Sequence, residues 1–331
     1  MPLINRCGGG GGTPQLCDQV ENFKVVPGTV ELTLALSWTA PSPDEDNSFV
    51  GVRIVRKTGS APTGINDGTV VYEGTELTYT DTGLTAWTTY YYRAFAYNAK
   101  KKYQTELRVV SMTATNLKPN FVDNTWDSII EACHADSVPD TWVVGDNKTM
   151  TIDGTDYQFD IVGKNHDTYK AGGIAPLTFG LHDCYGTKYS MNNSSTTSGG
   201  WGSSRMRQYV LPAILTEMPG NIRNGIRAVN KLSAMGSNEG TIVTSSDKLF
   251  IFSEIEVYGS VGHSYSGEGK QYDYYKAGNS KVKKVGSGAA EWGLRSPYVN
   301  VSYYFLTVNT DGSVSYNNAK EPLGVCFGFC F

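Results

Sequence analysis

The chain has no basic run to set against its acidic residues: 28 Lys and Arg face 32 Asp and Glu, a formal net charge of -4. A protein that works by neutralising phosphates carries the opposite balance, so nucleic acid is not an expected partner. No apolar stretch is long enough to cross a bilayer, and the opening Met1-Pro2-Leu3-Ile4-Asn5-Arg6-Cys7 lacks the basic and apolar segments of a signal peptide. Membrane insertion is therefore not expected, and the chain is expected to be made and folded in a cytoplasm. Paired C-x-x-C spacing is missing too. Six cysteines scattered over 331 residues resemble neither a disulfide scaffold nor a structural zinc site, which leaves them mostly reduced and mostly packing. G-x-S-x-G, a Walker loop and a dinucleotide fingerprint are all absent. An enzyme reading thus lacks a nucleophile and a cofactor cradle, and no catalytic residue or cofactor is expected.

What is present favours β structure. The 37 Gly, 21 Tyr and long Ser/Thr/Asn stretches suit short strands, tight turns and loop-rich surfaces. Residues 8–12 are all glycine and precede Thr13-Pro14, so residues 1–17 read as a flexible arm, either a tether or a segment ordered by a partner. Over residues 18–117 apolar positions alternate, at Val30-Leu32-Leu34-Leu36, Val50-Val52-Ile54 and Tyr90-Tyr92-Ala94-Ala96, a pattern of short strands fit for a sandwich. Trp38 within Leu-Ser-Trp-Thr-Ala-Pro, and Leu84 followed by Tyr90-Tyr91-Tyr92-Arg93-Ala94, resemble a fibronectin type III domain. That resemblance implies a tyrosine corner at Leu84 and Tyr90, with the Tyr hydroxyl tying a loop back to its strand.

Alternation stops at Leu117-Lys118-Pro119-Asn120, where a second domain, residues 118–331, is expected to begin. Asn124 or Thr125 can cap a short helix with Trp126, Ile129, Ile130 and Cys133 on one face. Asp153-Gly154 between two strand-like runs predicts a tight hairpin. Met206, Tyr209, Val210 and Ile214 recur at helical spacing behind Ser203 or Ser204, with Pro212 opposing the second half. At the end of the chain Leu323, Val325, Phe327, Phe329 and Phe331 share one strand face, while Gly324, Cys326, Gly328 and Cys330 share the other.

Several segments of this second domain carry a further likeness. They include Ile161-Val162-Gly163-Lys164-Asn165-His166-Asp167, Leu177-Thr178-Phe179-Gly180, Trp292-Gly293-Leu294-Arg295-Ser296-Pro297 and the closing Gly324-Val325-Cys326-Phe327-Gly328-Phe329. Together they resemble a family of uncharacterised C-terminal domains of gut Firmicutes and their phages, in which two adjacent tryptophans more often stand where this chain has Trp292-Gly293. The layout is also similar to the superfold of C-type lectins and the formylglycine-generating enzyme. The fold class expected is mainly β with minor α: a fibronectin-III-like sandwich followed by a loop-rich α+β, C-type-lectin-like domain.

His166-Asp167 and His182-Asp183-Cys184 are the places where His, Asp and Cys cluster. They are candidates for a metal, with calcium as the cation Asp167 or Asp183 would take, or for a Cys-His nucleophile; the alternative is turn capping. Cys326 and Cys330 are similar only loosely to the cysteines of the formylglycine-generating enzyme. Arg295 could pair with an acidic ligand group or could hold loop carbonyls internally. Tyr265, Tyr272, Tyr274, Tyr275, Tyr298, Tyr303, Tyr304 and Tyr316, interleaved with Ser, Gly and Asn, have the composition of an adaptable binding surface, the alternative for about half of them being ordinary core residues. Tyr272, Tyr274, Tyr275, Trp292, Arg295, Tyr298 and Tyr303 are the candidate ligand contacts.

The resemblance implies a component of a phage or phage-tail-like particle, a tail or baseplate protein for host attachment. Its expected partners are other virion proteins, further copies of itself, and a host surface glycan or protein. It would be assembled in the host bacterial cytoplasm and reside in the virion. A head or tail decoration protein without a host ligand is the alternative, and an enzyme of formylglycine-generating type a third.

Overall fold

Alternation at Leu34, Leu36 and Trp38 puts three large side chains on one side of a strand, and in the computed structural model all three are buried in β2 (Leu34–Thr39). The structure describes residues 17–41, 49–115 and 117–331, so residues 1–16 of the expected arm fall outside the described residues, while Cys17, its last residue, is buried in the core of the first unit instead. The chain divides between Lys118 and Pro119 into two compact units.

In the first unit β1 (Glu21–Pro27), β2 and β5 (Thr78–Asp81) form a three-stranded antiparallel sheet in the order β1-β2-β5. A second sheet has the order β4-β3-β6-β7, from β3 (Phe49–Thr58), β4 (Thr69–Gly74), β6 (Thr88–Asn98) and β7 (Val109–Ala114). One core joins them: Leu34, Leu36 and Trp38 from the first pack with Val52, Ile54, Tyr92 and Ala94 from the second. Buried Asp81 of β5 bridges the sheets, accepting from the Tyr92 hydroxyl at 2.7 Å and from Arg56 Nη1 at 2.9 Å. The Tyr90 hydroxyl accepts from the Thr85 backbone N–H at 3.0 Å, the corner that the Leu84–Tyr90 spacing implies. This unit is a fibronectin-III-like β-sandwich. Val30 and Leu32 differ from expectation: both lie in the turn before β2, Leu32 with φ of 55°, and Val30 is 67% exposed.

In the second unit Thr125 caps the helix Trp126–His134, its Oγ1 accepting from Ser128 N, and Ile129, Ile130 and Cys133 are buried. β8 (Asn147–Ile152) and β9 (Thr155–Lys164) join through Asp153 and Gly154 at φ of 44° and 75°, the left-handed pair that a type I′ hairpin demands. These strands belong to a five-stranded antiparallel sheet, β13-β19-β10-β9-β8, completed by β10 (Leu177–Leu181), β13 (Phe250–Ile251) and β19 (Phe327–Cys330). The C-terminal strand thus has neighbours on both sides, and both of its faces are buried. Phe159, Phe179, Phe327, Phe329 and Phe331 form the aromatic centre of the core.

A hairpin of β11 (Val229–Gly236) and β12 (Glu239–Asp247) precedes β13, and a small hairpin of β14 (Lys283–Val285) and β15 (Gly288–Ala290) comes after it. The meander β16 (Trp292–Pro297), β17 (Tyr304–Val308) and β18 (Val314–Asn318) leads into the final strand. Pro212 does not end the helix predicted around it. A π-helical turn, Met206–Val210, runs into the α-helix Leu211–Glu217, so Pro212 falls in a first turn where its missing N–H is not needed. Tyr209 leaves the apolar face and is 68% exposed. No described helix is long and apolar enough to cross a membrane.

Candidate functional site

β16 ends at Pro297, and the residues that follow build an aromatic face. Tyr298 N donates to Tyr304 O at 2.9 Å, and Asn300 takes a left-handed φ of 61° within the turn to β17. Across β17 and β18, Leu306 pairs with Tyr316 and Tyr304 with Asn318, which sets Tyr304 and Tyr316 diagonally on one face. Their ring centroids are 5.1 Å apart; Tyr316 lies 4.9 Å from Tyr298, and Tyr303 lies 4.5 Å from Tyr304. His263 stacks on Tyr298 at 5.7 Å and 20°. Five rings thus run continuously from His263 to Tyr303, with Tyr316 49% and Tyr303 42% exposed.

A buried carboxylate fixes the far end of this face. Glu254 accepts from the backbone N–H groups of Gly262, His263 and Ser264 at 2.9–3.2 Å and from the Ser264 hydroxyl at 2.7 Å. Val299 N then donates to His263 O at 2.9 Å, locking the loop to the strand end. Rings held in this way offer flat apolar area at low entropic cost, edged by hydroxyls that can donate or accept.

The other predicted contacts are interior. Tyr272, Tyr274, Tyr275, Trp292 and Arg295 are all buried, so they lie outside any exposed contact surface. Arg295 is the internal arginine of the two alternatives. Its guanidinium forks onto Glu256 and also donates to the carbonyls of Leu232, Ile251 and Glu268. Lys231 Nζ lies 2.7 Å from Glu256 and 2.9 Å from Asp167, and the Tyr272 hydroxyl donates to Asp167 at 2.8 Å. Trp292 Nε1 donates to Lys281 O, which ties this ring to the loop before β14.

This network corrects the metal reading of Asp167: Lys231 occupies one of its oxygens, and Thr178 and Tyr272 the other. The Coulombic pull of Lys231 and His166, with hydrogen bonds from Lys231 and Thr178, overcomes burial and holds the Asp167 carboxyl low, at about 2. Asp183 accepts from Lys284 N at 2.8 Å. Among the described residues no group of three or more His, Cys, Asp or Glu converges as a metal site. His182 does not address a cysteine but pairs with Asp160, Nδ1 to Oδ2 2.9 Å. His166 stacks on Tyr272 at 3.8 Å, and burial lowers its basicity. Burial pushes the Cys326 and Cys330 thiols up, the opposite of activation.

Residues 178–330 match a domain of unknown function, DUF6273. That segment holds Arg295, Glu256, Lys231 and Tyr272 of the buried network, though not Asp167, and all five rings of the aromatic face. No curated protein matches the chain. Among similar solved structures, a human fibronectin type III domain from fibronectin type III domain containing protein 3 shares 19% identity, over 33% of this chain and 94% of that one, TM-score 0.27. The sixth such domain of the human protein shares 20%, over 33% and 93%, TM-score 0.25. A redesigned β-sandwich protein shares 23%, over 30% and 93%, TM-score 0.24. The sandwich assignment of the first unit stands on its strand order, shared core and Tyr90 corner.

Of the predicted contacts, Tyr298 and Tyr303 reach the aromatic face, and Tyr304 and Tyr316 came from the same tyrosine-rich stretch. His263 and its anchor Glu254 went unpredicted. A signal was present in Ser253-Glu254-Ile255-Glu256, whose first and last residues form a capping box, but it announces a helix start rather than the second role of Glu254. Lys231 and Glu256 were missed because a fully buried ion pair is rare and leaves no periodic trace.

Proposed function

We propose that the chain is a non-enzymatic attachment component of a phage or phage-tail-like particle. The sandwich serves assembly with other virion proteins and further copies of the chain, and the second unit, of C-type-lectin-like type, faces the host. The continuous ring face from His263 to Tyr303 carries this reading, since exposed tyrosines clamped by backbone hydrogen bonds form a preorganised contact surface. The disfavoured enzyme reading requires an activated thiol, and burial opposes one at Cys326 and Cys330.

The test is binding of the labelled full chain to arrayed bacterial surface polysaccharides and to intact host cells. Tyr303→Ala with Tyr316→Ala is the comparison, alongside antibody labelling of particles by electron microscopy. Binding that drops about tenfold or more in the double variant without a change in melting, together with labelled tail ends, is the expected result. Label along the head with no cell or polysaccharide binding would make the chain a decoration protein.

A further inference from the structure

Cys184 and Cys326 are 142 residues apart in sequence, and their Sγ atoms are 3.1 Å apart. Cys184 follows β10, Cys326 immediately precedes β19, and the backbones beside them are already joined, Tyr185 N donating to Val325 O at 2.8 Å. Gly324 makes room for the approach: a Cβ there would stand 2.6 Å from Cys184 Sγ. Both thiols are free. Cys184, itself buried with 5% of its surface exposed, lines a solvent-open cleft of about 420 Å³ together with Tyr157, His182 and Lys284, whereas Cys326 has no exposed surface.

We infer that Cys184 and Cys326 are a disulfide-forming site, reduced when the chain folds and closed by a small-molecule disulfide that reaches Cys184 through this cleft. A disulfide needs sulfurs at about 2.05 Å, so closing the remaining gap takes a movement of about 1 Å. Cys184 loses its proton and attacks the reagent disulfide, whose S–S bond breaks; the leaving thiolate takes up that proton, and a mixed disulfide remains on Cys184. Cys326 then gives its proton to the second leaving thiolate as its sulfur attacks the Cys184 sulfur. Two protein thiols and one small disulfide become one protein disulfide and two small thiols. The bond would clamp the segment entering the central strand β19 to the end of β10. Such a clamp suits a protein that folds in a reducing compartment and works in an oxidising one.

The experiment exposes the folded full chain to oxidised glutathione, quenches with acid, then unfolds it, alkylates the remaining thiols and maps the peptides. A cross-linked peptide pair containing positions 184 and 326, with Cys17, Cys133 and Cys330 alkylated, is expected. So is a rise in melting temperature of several degrees that dithiothreitol reverses. Cys326→Ala should instead stop at a glutathione adduct on Cys184, which separates the two steps. Free thiols at both positions in the wild-type chain, a glutathione adduct on Cys184 that never resolves, or pairing with another cysteine would each overturn the assignment.

Discussion

Arg295 closes on Glu256 as a two-pronged fork, Nη1 2.5 Å from one carboxylate oxygen and Nη2 2.7 Å from the other, both side chains buried. Glu256 in turn caps its own helix by accepting from Ser253 N at 3.0 Å, so one carboxylate joins a helix start, β16 and, through Lys231, β11. The pair is a junction rather than a ligand site, because every Arg295 side-chain nitrogen already donates inside the protein.

Arg295→Met should therefore destabilise the second unit by about 3–5 kcal/mol, since it leaves Glu256 buried with one partner fewer. Urea unfolding followed by tryptophan fluorescence measures the loss. A ligand-binding role with little structural weight would instead leave the midpoint unchanged.

The parts of the fold legible from sequence are those written in local chemistry. Asp153-Gly154 dictates its hairpin because only left-handed residues close it, and Leu34, Leu36 and Trp38 disclose a buried face because strand periodicity is two. Tyr298 and Tyr303 could be named from composition, yet Tyr272, flanked by the polar Gln271 and Asp273, sits in the same kind of stretch and lies in the core. What separates exposed from buried tyrosines is strand pairing at long range, as between β17 and β18, and that leaves no local mark. The same holds for Cys184 and Cys326, whose proximity depends on where β10 and β19 lie.

His182 should make the second unit less stable as pH rises. Its hydrogen bond to Asp160, then that residue's charge, raises its basicity against the opposing effects of burial and Lys283. A folded pKa above the unfolded value of about 6.5 means that the contribution is complete below that value and disappears as pH climbs through the folded one. Melting temperatures of wild type and His182→Gln, compared from about pH 5.5 to 8.5, should converge at the alkaline end. A gap that is constant across the range would remove the ion pair from the account.

Glu268 carries the same sign for a different reason. Burial lifts its carboxyl above the ordinary range, while its Oε1 accepts from Ala234 N at 2.8 Å. The protonated acid fits the site, so the wild-type contribution is complete below the unfolded value of about 4.3 and falls as pH rises through the folded value. Glu268→Gln keeps the acceptor and removes the ionisation. Its stability relative to wild type should increase between about pH 4 and pH 8, read as the shift in urea midpoint.

Removing residues 327–331 should prevent the second unit from folding while leaving the sandwich intact. β19 pairs with both β10 and β13, so its loss splits a five-stranded sheet internally rather than trimming an edge. Phe327, Phe329 and Phe331 are fully buried, and the Phe331 carbonyl accepts from the Tyr169 hydroxyl while the Cys330 carbonyl accepts from Arg227 N. Emptying one buried Phe site costs about 3–5 kcal/mol, so three together reach a typical domain's whole margin of about 5–15 kcal/mol. Limited proteolysis should then digest the truncated chain down to a fragment ending near Lys118, with the near-ultraviolet circular dichroism of the second unit lost. Phe329→Ala is the graded version, lowering the urea midpoint of the second unit while the Trp38-containing core unfolds at its wild-type midpoint. A truncated chain that resists protease beyond Lys118 as the full chain does would mean that the sheet closes without this internal strand, and the core would then have to lie elsewhere.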